Sequence, residues 1–187
     1  MSDFIKCLDS ISSLEPEAVN DLALVISSQS FSKGSIILPP GRICQQLYFL
    51  HSGLVKLCFY NGDKEFIMRF FAENSLFTGL DSYLTQTSSY YSIMTLEPTV
   101  VSGISHLDLE LLCQKHHCVE TVFRKFISRA SVNMMGRISE MLEENATERY
   151  NHFVTHNSDL LPRISLGELA GYLGITQVSL SRIRAQK

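Results

Sequence analysis

The sequence has no tryptophan, no Cys-x-x-Cys pair, and no apolar run near the ~18 residues that a membrane-spanning helix requires. Its five cysteines, Cys7, Cys44, Cys58, Cys113 and Cys118, are odd in number and irregularly spaced, which excludes a disulfide framework and the usual zinc or iron-sulfur patterns. They are expected to be reduced and mostly buried thiols. The nearest approach to a metal motif is CQKHHC, from Cys113 to Cys118. A helix would turn Cys118 away from Cys113, His116 and His117, so no converging tetrahedral set forms and no metal is expected. Histidine is scarce where an enzyme would need it. The β-rich region holds His51 and no His-x-His pair, and Ser88 and Ser89 have no neighbouring histidine to activate them. A metal-dependent jelly-roll enzyme is therefore the remotest alternative, with no catalytic residue to name. The first residues lack a basic segment followed by an apolar one, so a secretory signal is not expected and the predicted location is cytoplasmic.

Basic residues are also short overall, 16 against 19 acidic ones for a net charge of −3, but they are unevenly placed. Residues 161–187 carry Arg163, Arg182, Arg184 and Lys187 against Glu168 alone, and the acidic surplus lies in the rest. A basic tail on an acidic body points to a polyanionic partner.

From Phe31 to about Ser105, short β-like runs such as QLYFL, LVKLCFY and EFIMRFF alternate with turn signals. This spacing predicts an all-β sandwich or barrel of the jelly-roll kind, and YNGDKE predicts a tight hairpin within it. A short helix over 14–28 should lead in, with Pro16 in its first turn. After Ser105 the period changes to about 3.6, predicting one short helix over 106–116 and one long helix over about 118–144. On the long helix, Phe123, Ile127, Ala130, Met134, Ile138 and Met141 form one apolar stripe, and Val119, Val122, Phe126 and Asn133 another. Two stripes must cover two surfaces, and the first is read as a homodimer interface. The expected organisation is an effector domain over 1–117, a dimerisation helix over 118–145 and a terminal helical domain over 146–187, an α+β chain overall.

The most specific segment is ISLGELAGYLGITQVSLSRIRA, residues 164–185. Ser165 and Glu168 make an S-x-x-E capping box, Gly174 supplies the left-handed residue that ends a helix, and Thr176 can cap a second one. Leu169, Leu173, Ile175, Leu180 and Ile183 are spaced to fill the wedge of a helix-turn-helix. Its outer face would carry Gln177, Val178, Ser179, Ser181 and Arg182. Glutamine suits adenine edges, arginine suits guanine O6 and N7, and valine suits a thymine methyl. Arg184, Lys187 and Arg163 are assigned to phosphates. The second helix is expected to stop at Lys187.

The order of these parts resembles the catabolite activator and FNR family of bacterial transcription regulators. The resemblance rests on FSKGSIILPPG and LYFLHSGLVKL in the β region and LAGYLGITQVSLSRIR at the end. It implies a cyclic-nucleotide-binding-like β-roll, a dimerising helix and a helix-turn-helix of winged-helix type with a reduced wing. The implied partners are double-stranded DNA, a second copy of the chain and RNA polymerase, with no membrane. Members that bind cyclic AMP carry Gly-Glu and a later Arg in this region. Here Gly79 is followed by Leu80 and Asp81, and the place of the Arg falls at Ser88 or Ser89. Without that charge-assisted bond cyclic AMP is not expected. With Cys7 as its single early cysteine, the chain also lacks the ligand set of the iron-sulfur members. Gln177 and Val178 replace the family's Arg and Glu, so the operator should differ.

The stretch 77–95, FTGLDSYLTQTSSYYSIMT, contains no cation. Gly79, Asp81, Ser88, Ser89 and Tyr90 are the candidate effector residues. The run suits either a neutral polar or aromatic ligand or a solvated strand face. An effector is expected but not identified, and no cofactor is assigned. The alternative to a DNA-binding regulator is a ligand-binding module whose terminal helices contact protein.

Overall fold

The computed structural model describes residues 2–185. Two helices open the chain: α1 (Asp3–Ile11) and α2 (Pro16–Val25). Ser2 caps α1 by accepting the Ile5 N–H, and Pro16 occupies the first turn of α2, where its missing N–H costs nothing.

Eight strands follow, in two antiparallel four-stranded sheets. One has the order β1 (Ser27–Phe31), β8 (Thr99–Ser105), β3 (Gln46–Ser52), β6 (Leu76–Phe77). The other has the order β2 (Ile36–Leu38), β7 (Ser92–Thr95), β4 (Val55–Asn61), β5 (Lys64–Phe71). β4 and β5 form the hairpin expected from YNGDKE. Asn61 pairs with Lys64, so Gly62-Asp63 is the turn, and Gly62 takes the positive φ of 60° that tight hairpins demand. A short helix, α3 (Leu80–Thr85), lies between β6 and β7.

The helical remainder is α4 (His106–Lys115), α5 (His117–Glu143), α6 (Ala146–His156), α7 (Leu166–Leu173) and α8 (Gln177–Ala185). The 27 residues of α5 span about 40 Å at 1.5 Å each. No helix among the described residues is long and apolar enough to cross a membrane.

Two cores hold the molecule together. The first fills the space between the sheets and under α1, α2, α4 and the start of α5, with Phe4 stacked on Phe49 at 5.6 Å. Val119 and Val122, from the second apolar stripe of α5, are buried in it. The second core lies on the outer face of the β4–β5 hairpin, where Leu54, Cys58, Ile67 and Phe70 meet Phe153, Leu169, Ala170, Leu173 and Leu180. The terminal helices are thus packed directly on the β-roll.

Strand β5 serves both cores. Ile67 and Phe70 face the helices, whereas Phe71 packs on the first core. A register shift makes the difference possible. Leu57 pairs with Arg69 and Cys58 with Ile67, so Met68 is an extra residue, a β-bulge that re-aims the side chains around it.

The docking distance is set by Gly171. A Cβ built there would lie 3.1 Å from the Glu65 carbonyl oxygen and 3.6 Å from Ile67 Cγ1. Around that contact Phe70 stacks on Tyr172 at 5.6 Å, and Lys64 Nζ donates to the Gly174 carbonyl at 3.3 Å. In a free helix, Gly to Ala stabilises by ~1 kcal/mol. Gly171→Ala is expected to lower the thermal midpoint instead, because backbone cannot give way as a side chain can. A raised midpoint would show that α7 does not sit this close to β5.

Candidate functional site

The terminal motif is built from local signals. Ser165 Oγ accepts the Glu168 N–H at 3.2 Å while Glu168 Oε2 accepts the Ser165 N–H at 2.7 Å, completing the capping box. Gly174 ends α7 at φ 72°, ψ 18°, the left-handed region that glycine enters without strain. Thr176 Oγ1 then accepts the Ser179 N–H at 3.1 Å and starts α8. Leu169, Leu173 and Leu180 are buried between the helices, and Ile175 and Ile183 are half-buried. The two helices and their turn form a helix-turn-helix.

On α8, Gln177, Val178, Ser181, Arg182 and Arg184 are exposed, with Val178 at 62%. Ser179 is half-buried, its hydroxyl 3.0 Å from Thr176 Oγ1, so it serves the cap as well as the face. Gln177 leans back over Gly167, where a Cβ would come within 2.9 Å of its Nε2. Lys187 lies outside the described residues.

Arg163 is elsewhere. Its guanidinium donates to Glu73 at 2.8 and 2.9 Å and to Glu97 at 2.6 and 2.9 Å, joining the segment before α7 to the β-roll. Glu73 also accepts the Gly53 N–H at 3.0 Å. These charge-assisted bonds hold Glu73 down to about 2 and push Glu97 below and Arg163 above their ordinary values. The expectation that Arg163 contacts phosphate is therefore corrected: two carboxylates already occupy its donors.

The β-roll half contains a cavity of about 520 Å³ between the β4–β5 hairpin, α3 and the long helix. Asp81 lines it. Gly79 precedes α3 at a close approach, since a Cβ there would lie 2.8 Å from Leu38 Cδ2, and its N–H points to Cys44 Sγ at 3.4 Å. Ser88, Ser89 and Tyr90 do not join them. They border a separate surface depression with Phe59 and Tyr60. Local turn geometry uses the Ser89 hydroxyl, which accepts the Tyr91 N–H and donates to the Tyr91 carbonyl, both at 3.0 Å. Tyr91, absent from the sequence-based set, lines the cavity instead.

The cavity is also not free of cations. Arg69 of β5 lines it, as do Lys125, Arg129 and Arg137 of α5, which sit on one ridge with Asn133 at spacings of four. The hydroxyl-rich run 77–95 gave no hint of them because they come from other elements. The four-residue recurrence along α5 was the available signal.

The predicted dimer stripe divides. Phe123 packs on its own β-roll, edge-on to Tyr83 at 6.1 Å, and Ala130 and Met134 line the cavity. Ile127 is half-buried, whereas Ile138 and Met141 are exposed at 45% and 39%. More exposed still are Val132, Met135 and Leu142, which the stripe had left out.

All five thiols are free, and within CQKHHC the buried His116 is bonded through Nε2 to Asp21 at 2.7 Å. Among the described residues, Glu140, Glu144 and His152 bring ligand atoms within 4.8 Å of one another, but Glu140 is bound to Arg137 at 2.6 Å.

Residues 28–116 match the cyclic nucleotide-binding domain family. No curated protein matches the chain in sequence. Solved structures resemble it over nearly its full length. The c-di-GMP responsive global regulator CLP of Xanthomonas campestris is 15% identical, with 92% of this chain and 91% of that one covered at a TM-score of 0.72. The Thermus thermophilus catabolite activator protein is 22% identical, with 96% and 85% covered at 0.61. A putative CRP/FNR-family transcriptional regulator from Eubacterium rectale is 15% identical, with 91% and 82% covered at 0.75. The chain therefore has the fold of these regulators, with the match to the cyclic nucleotide-binding domain family lying in its β-roll.

The clamp on Arg163 has a pH signature. Glu73 and Glu97 have folded pKa values below the ordinary 4.5, so their contribution is complete above that value and is lost as pH falls toward about 2. The thermal midpoint of the native protein is expected to fall over this interval more steeply than that of Arg163→Met, which starts lower at pH 7. Parallel pH profiles would show that the carboxylates do not depend on Arg163.

Proposed function

We propose that the protein is a sequence-specific DNA-binding transcription regulator that acts as a homodimer and senses a small molecule through its β-roll. The observation that carries this reading is the capped helix-turn-helix with Gln177, Val178, Ser181 and Arg182 exposed on one helix. Gln177 is suited to adenine, Arg182 to guanine and Val178 to a thymine methyl. Arg184 stands beside them as a phosphate contact, and Lys187 is assigned the same role. In this reading the protein is not an enzyme.

Dimerisation is supported by the bare side of α5. Val132, Met135, Ile138 and Leu142 are at least 45% exposed and fall on the flank of the helix that the β-roll leaves open. A second copy covering this flank would bring two recognition helices to successive major grooves. Cyclic AMP held in the family's usual way remains disfavoured, because the turn at Ser88 and Ser89 offers its phosphate no cation.

Binding of labelled duplexes at a series of salt concentrations tests the reading. Affinity is expected to fall steeply as salt rises, with a slope set by the phosphates neutralised. Arg182→Ala should cost about 1–3 kcal/mol of discrimination at one base pair per half-site while the dimer persists. Unchanged sequence preference in that variant would contradict the assignment.

A further inference from the structure

The cavity in the β-roll has an electrostatic imbalance that the fold does not resolve. Of its four cations, two are committed: Arg137 pairs with Glu140 at 2.6 Å and lies over the Tyr172 ring, and Lys125 donates to Ser12 at 3.0 Å. Arg69 and Arg129 are not. Neither has an ion pair or hydrogen bond among the described residues, and Arg69 rests only against the Phe71 ring at 5.6 Å. Asp81, the cavity's carboxylate, pairs with neither.

Arg69 and Arg129 both reach solvent while lining the same space, and two guanidiniums so placed repel with no carboxylate between them. Desolvation lowers the pKa of Arg69, and the nearby positive charge of Arg129 lowers it further. The rest of the lining is largely apolar, including Leu57, Phe71, Leu76 and Phe126. A concave, mostly apolar space of this size with a few unpaired polar groups is the usual form of a small-molecule site.

We propose that this cavity binds a small organic carboxylate, its acid group held between Arg69 of β5 and Arg129 of α5 and its apolar body against Leu57, Phe71, Leu76 and Phe126. The planar fork of arginine matches a carboxylate with two parallel bonds, and the ligand's charge replaces the repulsion with attraction. Such a ligand differs from a cyclic nucleotide anchored in the turn between α3 and β7, because its anchors are a strand and the long helix. It also ties α5 to β5, and the outer face of β5 carries the helix-turn-helix. The inference rests on reading the β-roll as a sensor.

The fluorescent anion anilinonaphthalenesulfonate serves as the probe, with the full-length protein and no DNA present. Benzoate and octanoate are expected to displace it, whereas benzamide and octanol at equal concentration are not. The double variant Arg69→Gln with Arg129→Gln should weaken displacement by the acids at least tenfold. In anion-free buffer its thermal midpoint should be equal to or above that of the native protein, since a repulsion has been removed.

Amides competing as well as acids, acids competing equally in both proteins, or a lowered midpoint in the variant would each overturn the proposal. Cyclic AMP or inorganic phosphate competing more strongly than the carboxylates would overturn the ligand class. Intact anion binding with no DNA recognition would count against the regulator reading alone. Intact DNA recognition with no anion binding would count against this proposal alone.

Discussion

The contact between α7 and strand β5 is the constraint on which the rest of the structure depends. Gly171 lets the helix approach the Glu65 carbonyl closely enough for Leu169, Ala170 and Leu173 to share a core with Ile67 and Phe70. The two short terminal helices bury little surface between themselves, and a unit of that size is marginal alone. Their stability is borrowed from the β-roll. Arg163, reaching Glu73 and Glu97, and Lys56, buried beside Glu65 and within 3.7 Å of Glu168, rim that core with charge.

One strand therefore has a different task on each face. Phe71 and Arg69 border the cavity, while Ile67 and Phe70 hold the helix-turn-helix, and the bulge at Met68 is what puts Ile67 and Phe70, three residues apart, on one face. The long helix closes the same arrangement from the other side: Arg129 and Asn133 line the cavity, and Arg137 reaches onward to donate to the Tyr172 carbonyl and cover its ring. A ligand that draws β5 and α5 together would act on both supports of the helix-turn-helix. Packed interfaces of this kind shift between discrete arrangements more readily than they deform.

Much of the fold was legible from sequence because its signals are local. Ser165 with Glu168, Gly174, Thr176 and Gly62 each act within a few residues, and the observed structure uses all of them, with the hairpin turn at Gly62-Asp63 and Asn61 left in the strand. Helix α6 carries the same type of capping box, Asn145 with Glu148, but the sequence reading named no helix there. Helix α1, capped by Ser2, was also missed. The site was less legible where partners lie far apart in the chain. Arg163 meets carboxylates 66 and 90 residues away, so its apparent freedom in the basic tail was misleading. The cavity's cations come from β5 and α5, not from the hydroxyl-rich run that marks its place. Ser88, Ser89 and Tyr90 are adjacent to Tyr91 in sequence yet face another depression, where Ser89 bonds the Tyr91 backbone and the Tyr90 hydroxyl donates to the Tyr60 carbonyl.

The central claim is that the exposed face of α8 reads DNA as one of a symmetric pair. Selection of bound duplexes from a random pool by the full-length protein tests it most directly. The account predicts an enriched near-palindrome whose half-sites are centred about one helical turn apart, roughly 10 base pairs. Recovery of no enriched sequence, or of a single unrepeated half-site, would contradict it.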